Sequence, residues 1–365
     1  MRIGLFSSSL PQADRKVGGA ELFVHRLANA LTHRDHDVVL HTFARSAPPD
    51  ACYVLRRVGS PRIVESKLGR FGLGPMLLNR LDDRTLDVLN IHGDDWFYVR
   101  RVIPTVRTFH GSALREFQSA TRLRHRALQA MVFPGELLAS RLATASYTVC
   151  AGMPGGYRLA GTLPQGGGLF PEMVNLPTSL PRFPEPTVLF VGTWEGRKRG
   201  RMLRDIFEAE TLRAHPNAKL LMVSDHCEES EHVRWVVNPD DRELSELYAR
   251  AWLFCLPSTY EGFGQPYVEA MAHGVPVLAT PNPGIDYVSC SGRFATVVEA
   301  DALGREMSEL LCNEARRREL RERGLVRAAD FGWERSCQAH ERAFEAAIES
   351  LRSRPGRRRS RQSAQ

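Results

Sequence analysis

Lysine, long apolar runs and paired cysteines are all scarce in this chain, and each scarcity excludes something. Of 49 cationic residues only four are lysines: Lys16, Lys67, Lys198 and Lys219. A lysine inside a motif therefore stands out. The seven cysteines are odd in number and include no Cys-x-x-Cys pair. That argues against a disulfide scaffold or a zinc ribbon and makes a reducing, cytoplasmic location the expectation. No run approaches the roughly 18 apolar residues that span a bilayer. The opening MRIGLFSSSLPQ lacks the layout of a signal peptide and reads as a first strand. The Gly-x-Gly-x-x-Gly spacing of a dinucleotide site is absent. Asp-x-Asp occurs once, as Asp35-His36-Asp37, at a place that reads as a turn. No metal site is therefore expected.

What is present is an ordinary globular composition. With 365 residues, 43% hydrophobic and 25% charged, the chain exceeds the roughly 250–300 residues at which a single core stops growing, so two domains are expected. The net charge is +7, but the last fifteen residues carry six arginines and no acid. Without them the body is close to neutral. The stretch 352–365 reads as a disordered arginine-rich tail, and nucleic acid is not an expected partner because no recognition motif accompanies it.

Two rounds of strand and helix follow one another. RIGLF at 2–6 precedes a helix whose Ala20, Phe23, Val24, Leu27, Ala28 and Leu31 share one face. Short β-branched runs at 38–43, 87–92, 105–110 and 147–150 read as buried parallel strands. A glycine- and proline-rich stretch over 161–187 marks a linker, set at 171–186. The pattern restarts with strands at 187–192, 219–224, 232–237, 252–257 and 276–280. Helices are expected from Asp241, from near Pro266, over 301–330, and from Trp333 to Leu351. The spacing predicts an α/β protein with two Rossmann-like parallel sheets, 1–170 and 187–332, facing a central cleft. The helix 333–351 is expected to pack back on the first domain.

Most chemistry is concentrated in 257–284, PSTYEGFGQPYVEAMAHGVPVLATPNPG. Gly262 and Gly264 allow a tight turn, and Pro266 suits the first turn of a helix, where its missing donor costs nothing. A glycine turn that feeds a helix N-terminus is an anion site. Glu261 precedes the helix and Glu269 is expected in its first turn. They either stabilise the helix end or accept hydrogen bonds from sugar hydroxyls on either side of a phosphate. In VLFVGTWEGRKRG (188–200) a strand ends at Gly192, and Arg197 and Lys198 follow at the carboxyl end of that strand. They form either a charged loop or a pair able to neutralise a diphosphate. Gly18–Gly19, after the first strand, lets backbone approach a ligand, but such a pair is weak evidence alone.

EGFGQPYVE, Glu261 to Glu269, resembles the Glu-x7-Glu motif of glycosyltransferase family 4, the retaining enzymes with the GT-B fold. FVGTWEGRKRG, VGGAELFVHRLANAL, TFHG at 108–111, NLP at 175–177 and GWERSCQAHERAFE are also similar to family segments. Residues 44–86 and 112–146 match least. The resemblance implies a metal-independent glycosyltransferase that moves a hexosyl unit, with retention, from a nucleotide-diphosphate sugar to a glycan, lipid-linked or small-molecule hydroxyl acceptor. No cofactor is implied beyond the nucleotide-sugar co-substrate.

Carried over by residue, the resemblance gives Glu269 to the ribose and Glu261 to the transferred sugar. Backbone N–H groups of Phe263, Gly264 and Gln265 meet the sugar and diphosphate, and Arg197 and Lys198 bind the diphosphate. Gly18 and Gly19 approach the phosphates, Gly192 ends the strand before the cationic loop, and His110 lines the sugar site. Arg234, Trp235 and Val236 lie along the base. His110 has the alternative of a packed strand-end residue, and Trp235 that of a core residue. Thr193 and Gln265 stand where the family usually has arginine and leucine, which bears on donor choice. The acceptor is expected in the first domain, at 44–86 and 112–146. Basic residues there alternate with apolar ones, and peripheral contact with the inner face of a membrane is an open expectation. The rival readings are a sugar-nucleotide epimerase, a phosphorylase or a non-catalytic partner subunit.

Overall fold

Every strand pairing in the computed structural model is parallel, as short buried β-branched runs require. The structure describes residues 1–11, 18–66, 68–81, 84–99, 101–120, 123–149, 153–164, 166, 168–177 and 180–353. Lys16, Lys67, Arg122 and the arginine-rich tail from 354 onward lie outside them. The chain divides into two units. The first comprises Met1–Phe117, Arg124–Gly166 and the segment from Trp333; the second comprises Gln118–Leu123 and Gly167–Gly332.

The first unit holds β1 (Arg2–Phe6), α1 (Gly19–Thr32), β2 (Asp37–Thr42), β3 (Val54–Arg57), α2 (Gly74–Leu77), β4 (Val88–Ile91), β5 (Thr105–Phe109), α3 (Ala113–Ser119), α4 (Leu123–Leu142), β6 (Ala145–Thr148) and β7 (Gly161–Thr162). Its sheet runs β3-β2-β1-β4-β5-β6-β7. The expected face of α1 is buried at Phe23, Val24, Leu27, Ala28 and Leu31, against Ile3, Leu5 and Val88 of the sheet. β6 begins two residues before the expected 147–150. β3 and β7 are strands the sequence reading lacked. β3 is a mostly exposed edge with two arginines, and β7 is only two residues long, so neither carries an apolar signature.

The second unit holds β8 (Thr187–Val191), α5 (Gly200–Ile206), α6 (Leu212–Ala214), β9 (Lys219–Val223), β10 (Val233–Val236), α7 (Asp241–Arg250), β11 (Leu253–Leu256), α8 (Gln265–Ala272), β12 (Val277–Ala279), α9 (Pro283–Ser289), β13 (Thr296–Val297), α10 (Leu303–Cys312) and α11 (Glu314–Ala328). Its sheet runs β10-β9-β8-β11-β12-β13. The order reverses at β8, between β9 and β11. Loops at the carboxyl ends of strands flanking such a reversal are where open α/β sheets bind ligands. Both α7 and α9 start on side-chain caps. Asp240 accepts from the Glu243 N–H while Glu243 reaches back to the Asp240 N–H. Asn282 accepts from Gly284 and Ile285.

The closing helix, Trp333–Arg352, belongs to the first unit. Cys337, Phe344 and Ala347 join that unit's core. Ser336 Oγ donates to the Pro164 carbonyl at 2.9 Å and accepts from the Gly166 N–H at 3.0 Å. On the wetter side, Arg34 grips both oxygens of Glu341 at 2.8 and 2.9 Å, and His36 meets the same carboxylate at 2.9 Å. The fork holds the Glu341 carboxyl below its ordinary range. No helix among the described residues is long and apolar enough to cross a membrane.

Glu341→Ala is expected to lower stability by about 1–2 kcal/mol, the worth of a charge-assisted pair discounted for partial exposure. Glu345→Ala, on the exposed face of the same helix, should stay within about 0.5 kcal/mol of wild type in chemical denaturation.

Candidate active site

The cationic loop of the second unit is built by the end of β8. Gly192 leaves room that a side chain would take. A Cβ there lies 2.7 Å from Lys198 Cδ and 2.7 Å from the Phe190 ring. The chain then makes a 3-10 turn, Gly196–Lys198, that Gly196 and Arg199 flank in left-handed conformations. The Thr259 N–H donates to the Arg197 carbonyl at 2.8 Å. This ties the turn to the loop after β11.

The acidic partner arrives from that same loop. Glu261 is buried, and its Oε1 accepts from Arg197 Nη1 at 2.7 Å, Lys198 Nζ at 3.1 Å and Ser258 Oγ at 2.8 Å. Arg197 also donates to the Tyr260 carbonyl at 2.6 Å. Burial opposes ionisation of Glu261, but Lys198 and Arg197 outweigh it and hold the carboxyl down to about 2. For Lys198, burial lowers the pKa and the Glu261 carboxylate resists. Lys198 is mostly enclosed, whereas the Arg197 side chain is 43% exposed. The sequence reading placed Glu261 toward the sugar. Its pairing with both cations and with Ser258 was not foreseen.

The helix α8 starts from Gly264, whose φ of +90° suits glycine. Phe263 is buried edge-on against Phe331, ring centroids 5.3 Å apart, which anchors the turn. A Cβ on Gly284 would meet Glu261 Cβ at 2.6 Å and the carbonyls of Phe263 and Glu261 at 2.9 and 3.0 Å. That close approach explains why glycine stands there. Gln265 is buried at the start of α8, and its Nε2 has no hydrogen-bond partner among the described residues.

Glu269 departs from expectation. The first turn of α8 holds no acid, and Glu269 lies one turn further in. It is buried; Oε1 accepts from the Leu169 N–H and Oε2 from the Tyr248 hydroxyl, both at 3.0 Å. Gly168, at φ +66°, admits this loop because a Cβ there would strike the Glu269 side chain. Leu169 and Tyr248 carry no sequence signal that links them to Glu269.

On the edge strand β10, Arg234 is exposed, and Trp235 and Val236 are half-buried. Trp235 Nε1 donates to the Ser224 carbonyl at 3.1 Å. Its ring stands edge-on to His226, which in turn meets Trp194.

In the first unit, Gly18 caps α1 and Gly19 is its first residue. Gly18 has an ordinary φ of −75°, so glycine is not required there by backbone angle. A Cβ would approach Glu21 Oε2 at 2.7 Å. His110 follows β5. It belongs to a row of imidazoles that the sequence reading missed: His92, His110 and His340, packed around Phe23. His92 Nδ1 lies 2.9 Å from His110 Nε2. Burial first, then neighbouring positive charge, pushes His92 well down and His110 to about 3; burial alone takes His340 to about 4, against the opposing pull of the Ser336 carbonyl and Glu341. No group of three metal-binding side chains occurs among the described residues. Asp35 sits in a left-handed turn and Asp37 pairs with Arg2 at 3.2 Å.

Two tandem Rossmann-like parallel sheets, one carrying a cationic loop and a glycine-led helix start at a strand-order reversal, are the arrangement of the GT-B fold. Comparisons with known proteins agree. The family model "Glycosyl transferases group 1" matches residues 180–327, and "Glycosyltransferase Family 4" matches 17–153. The chain belongs to the family 4-type glycosyltransferases.

O-antigen chain mannosyltransferase B of Escherichia coli is 31% identical over 160 residues, 40% of this chain and 42% of that protein. The match thus spans about two fifths of that relative. Phosphatidyl-myo-inositol mannosyltransferase of Mycobacterium leprae is 25% identical over 90% of this chain and 91% of its own length. The solved structure of Anabaena Alr3699/HepE in complex with UDP and glucose shares the fold. Its TM-score is 0.71 at 17% identity, over 95% of this chain and 100% of that one.

The buried histidines give stability a definite pH dependence. Their folded pKa values lie below the ordinary imidazole value of 6.5. As pH falls below that value the unfolded chain takes up protons that the folded chain refuses. Their contribution is therefore complete above pH 6.5 and is lost progressively toward pH 4. Each histidine is worth about 1.4 kcal/mol per pH unit in that window. His340→Phe, which keeps a ring and removes one titrating group, should flatten the slope by that amount in urea denaturation series at pH 4.5–6.5.

Proposed function

We propose that the protein transfers a hexosyl unit from a nucleotide-diphosphate sugar to a hydroxyl of a glycan or glycolipid, with retention at the anomeric carbon and without a metal. The observation that carries this reading is the clasp in which Glu261 aligns Arg197 and Lys198 beside the Gly264-led start of α8. The names of the relatives, mannosyltransferases acting on glycan or lipid, and of the neighbour that binds UDP and glucose support the donor and acceptor classes.

The chemistry follows from charge. Breaking the bond between C1 of the sugar and the diphosphate oxygen leaves negative charge on the leaving group and positive character on the ring. Lys198 and Arg197, preorganised by Glu261, stabilise the departing diphosphate together with the dipole of α8. The acceptor oxygen bonds to C1 on the same face, and its proton passes to the leaving diphosphate oxygen. Glu269, fixed by Tyr248 and the Leu169 N–H, presents its carboxylate to the ribose hydroxyls. The unpartnered Gln265 amide donates to the sugar, where the family's usual leucine offers nothing. Arg234, Trp235 and Val236 flank the base through backbone groups. In the first unit, exposed Leu73, Met76, Phe97 and Val99, the last three tied through their backbones by Asn79, give a face for peripheral contact with a membrane that carries the acceptor.

A thermal-shift panel of nucleotide sugars tests donor binding. The right donor at 100 times its dissociation constant adds about 2.7 kcal/mol. With that donor, Lys198→Ala should lower kcat by roughly 10²–10³, the loss typical of a removed charge-stabilising donor. Wild-type turnover in that variant would sink the reading.

The anomeric configuration of the product, followed by proton NMR from the first turnovers, is expected to match that of the donor, with the rate unchanged by EDTA. Inversion, or abolition by chelator, contradicts the retaining, metal-free mechanism.

A further inference from the structure

Three buried polar groups outside the cationic clasp stand out: the Gln265 amide, a Ser112–Tyr157–Glu136 hydrogen-bond chain, and the Asn90–His92–His110 chain. Gln265 belongs to the site already described, and the Ser112 chain closes on itself. The third chain ends on an open atom, and its direction follows from chemistry alone.

Asn90 is fully buried on β4. Its Nδ2 donates to the Val106 carbonyl at 3.0 Å and to Thr108 Oγ1 at 3.0 Å. A carbonyl only accepts, so the amide orientation is set, and Oδ1 is the atom that faces His92 Nε2. His92 Nε2 must therefore carry the hydrogen. A neutral imidazole has one N–H, so His92 Nδ1 is a lone pair. The atom 2.9 Å from it, His110 Nε2, must then be the donor. That leaves the lone pair of neutral His110 on Nδ1, which is buried and has no partner among the described residues. Burial holds both rings neutral, as this logic requires. His340 does not compete for the bond: its Nδ1 donates to the Ser336 carbonyl at 2.8 Å, and its Nε2 makes no hydrogen bond among the described residues.

We propose that Asn90 and His92 are positioning residues that lock His110 in the Nε2–H tautomer, so that His110 Nδ1 accepts a hydrogen bond from a hydroxyl of the transferred sugar. The sugar contact rests on the glycosyltransferase reading above; the tautomer does not. A buried acceptor left unpaired is costly. The site therefore demands a hydroxyl at this position and discriminates against a deoxy donor more strongly than an apolar pocket does.

The first test needs no ligand. In full-length protein labelled with ¹⁵N-histidine, long-range proton–nitrogen spectra distinguish protonated from unprotonated ring nitrogens. His110 is assigned by the signals lost in His110→Gln. The expected result is a protonated Nε2 and an unprotonated Nδ1 at neutral pH. A protonated Nδ1 overturns the proposal and leaves the glycosyltransferase reading intact.

The second test compares two replacements of His92. His92→Gln keeps an acceptor for His110 and a donor for Asn90. His92→Phe keeps the ring and its packing on Phe23 but removes both hydrogen bonds. With GDP-mannose and UDP-glucose assayed in parallel, kcat/KM should fall roughly 10–100-fold in His92→Phe, the range for loss of a group that orients a functional imidazole. It should stay within a few-fold of wild type in His92→Gln. A purely structural role reverses that order, since phenylalanine fills the space better, and would overturn the proposal. Where His92→Phe proves unstable, the wild-type spectra decide alone. Saturation with the sugar nucleotide that is turned over should move the His110 Nδ1 resonance toward the hydrogen-bonded range, and an unmoved resonance refutes the sugar contact. The expected tautomer in a protein that binds no sugar nucleotide counts against both the sugar contact and the glycosyltransferase reading.

Discussion

A carboxylate removed from water must be repaid by positive charge and hydrogen bonds, and Glu261 of the second unit is held by three donors at once. Lys198, Arg197 and Ser258 converge on a single oxygen. The consequence spreads outward. The 3-10 turn after β8 is pulled onto the loop after β11, where the Thr259 N–H donates to the Arg197 carbonyl. Asn282 reaches the Ser258 carbonyl from the start of α9, and Gly284 lets α9 close on Glu261. Removing one member of such a cluster leaves another charge buried and unpaired, which costs more than the pair contributed. The ionic centre therefore fixes the local backbone as well as the side chains.

The first unit solves a polar problem by the opposite route. Its imidazoles are kept neutral by burial and are ordered by hydrogen-bond direction rather than by charge. Asn90, His92 and His110 form a line in which each donor has one acceptor. The second unit thus orders its polar groups by fixed charge, and the first orders its own by hydrogen-bond direction.

Much of this was legible in the sequence. Buried parallel strands are short apolar runs, so β1, β2, β4, β5 and most strands of the second unit could be read directly. β3, β7 and β13 could not: two residues, or an arginine-bearing edge, leave no periodicity to detect. The motif residues Glu261, Gly264, Glu269, Arg197 and Lys198 announced themselves by type and spacing, and their resemblance to family 4 supplied roles. The partners did not. Tyr248 and the Leu169 N–H meet Glu269 across 21 and 100 residues of chain, and His92 meets His110 across 18. The histidine pairing is set by β4 lying beside β5, and the Glu269 pairings by α7 and the 168–169 loop meeting α8, arrangements no local pattern encodes. Glu269 itself falls just past the first turn, as the fifth residue of a helix that begins at Gln265.

The closing helix contributes Cys337, Phe344 and Ala347 to the core of the first unit, although the whole second unit precedes it in the chain. During synthesis the opening sheet must therefore wait, its apolar face lacking a cover, until the ribosome has translated a unit that can finish folding before it. The order of maturation runs against the order of emergence.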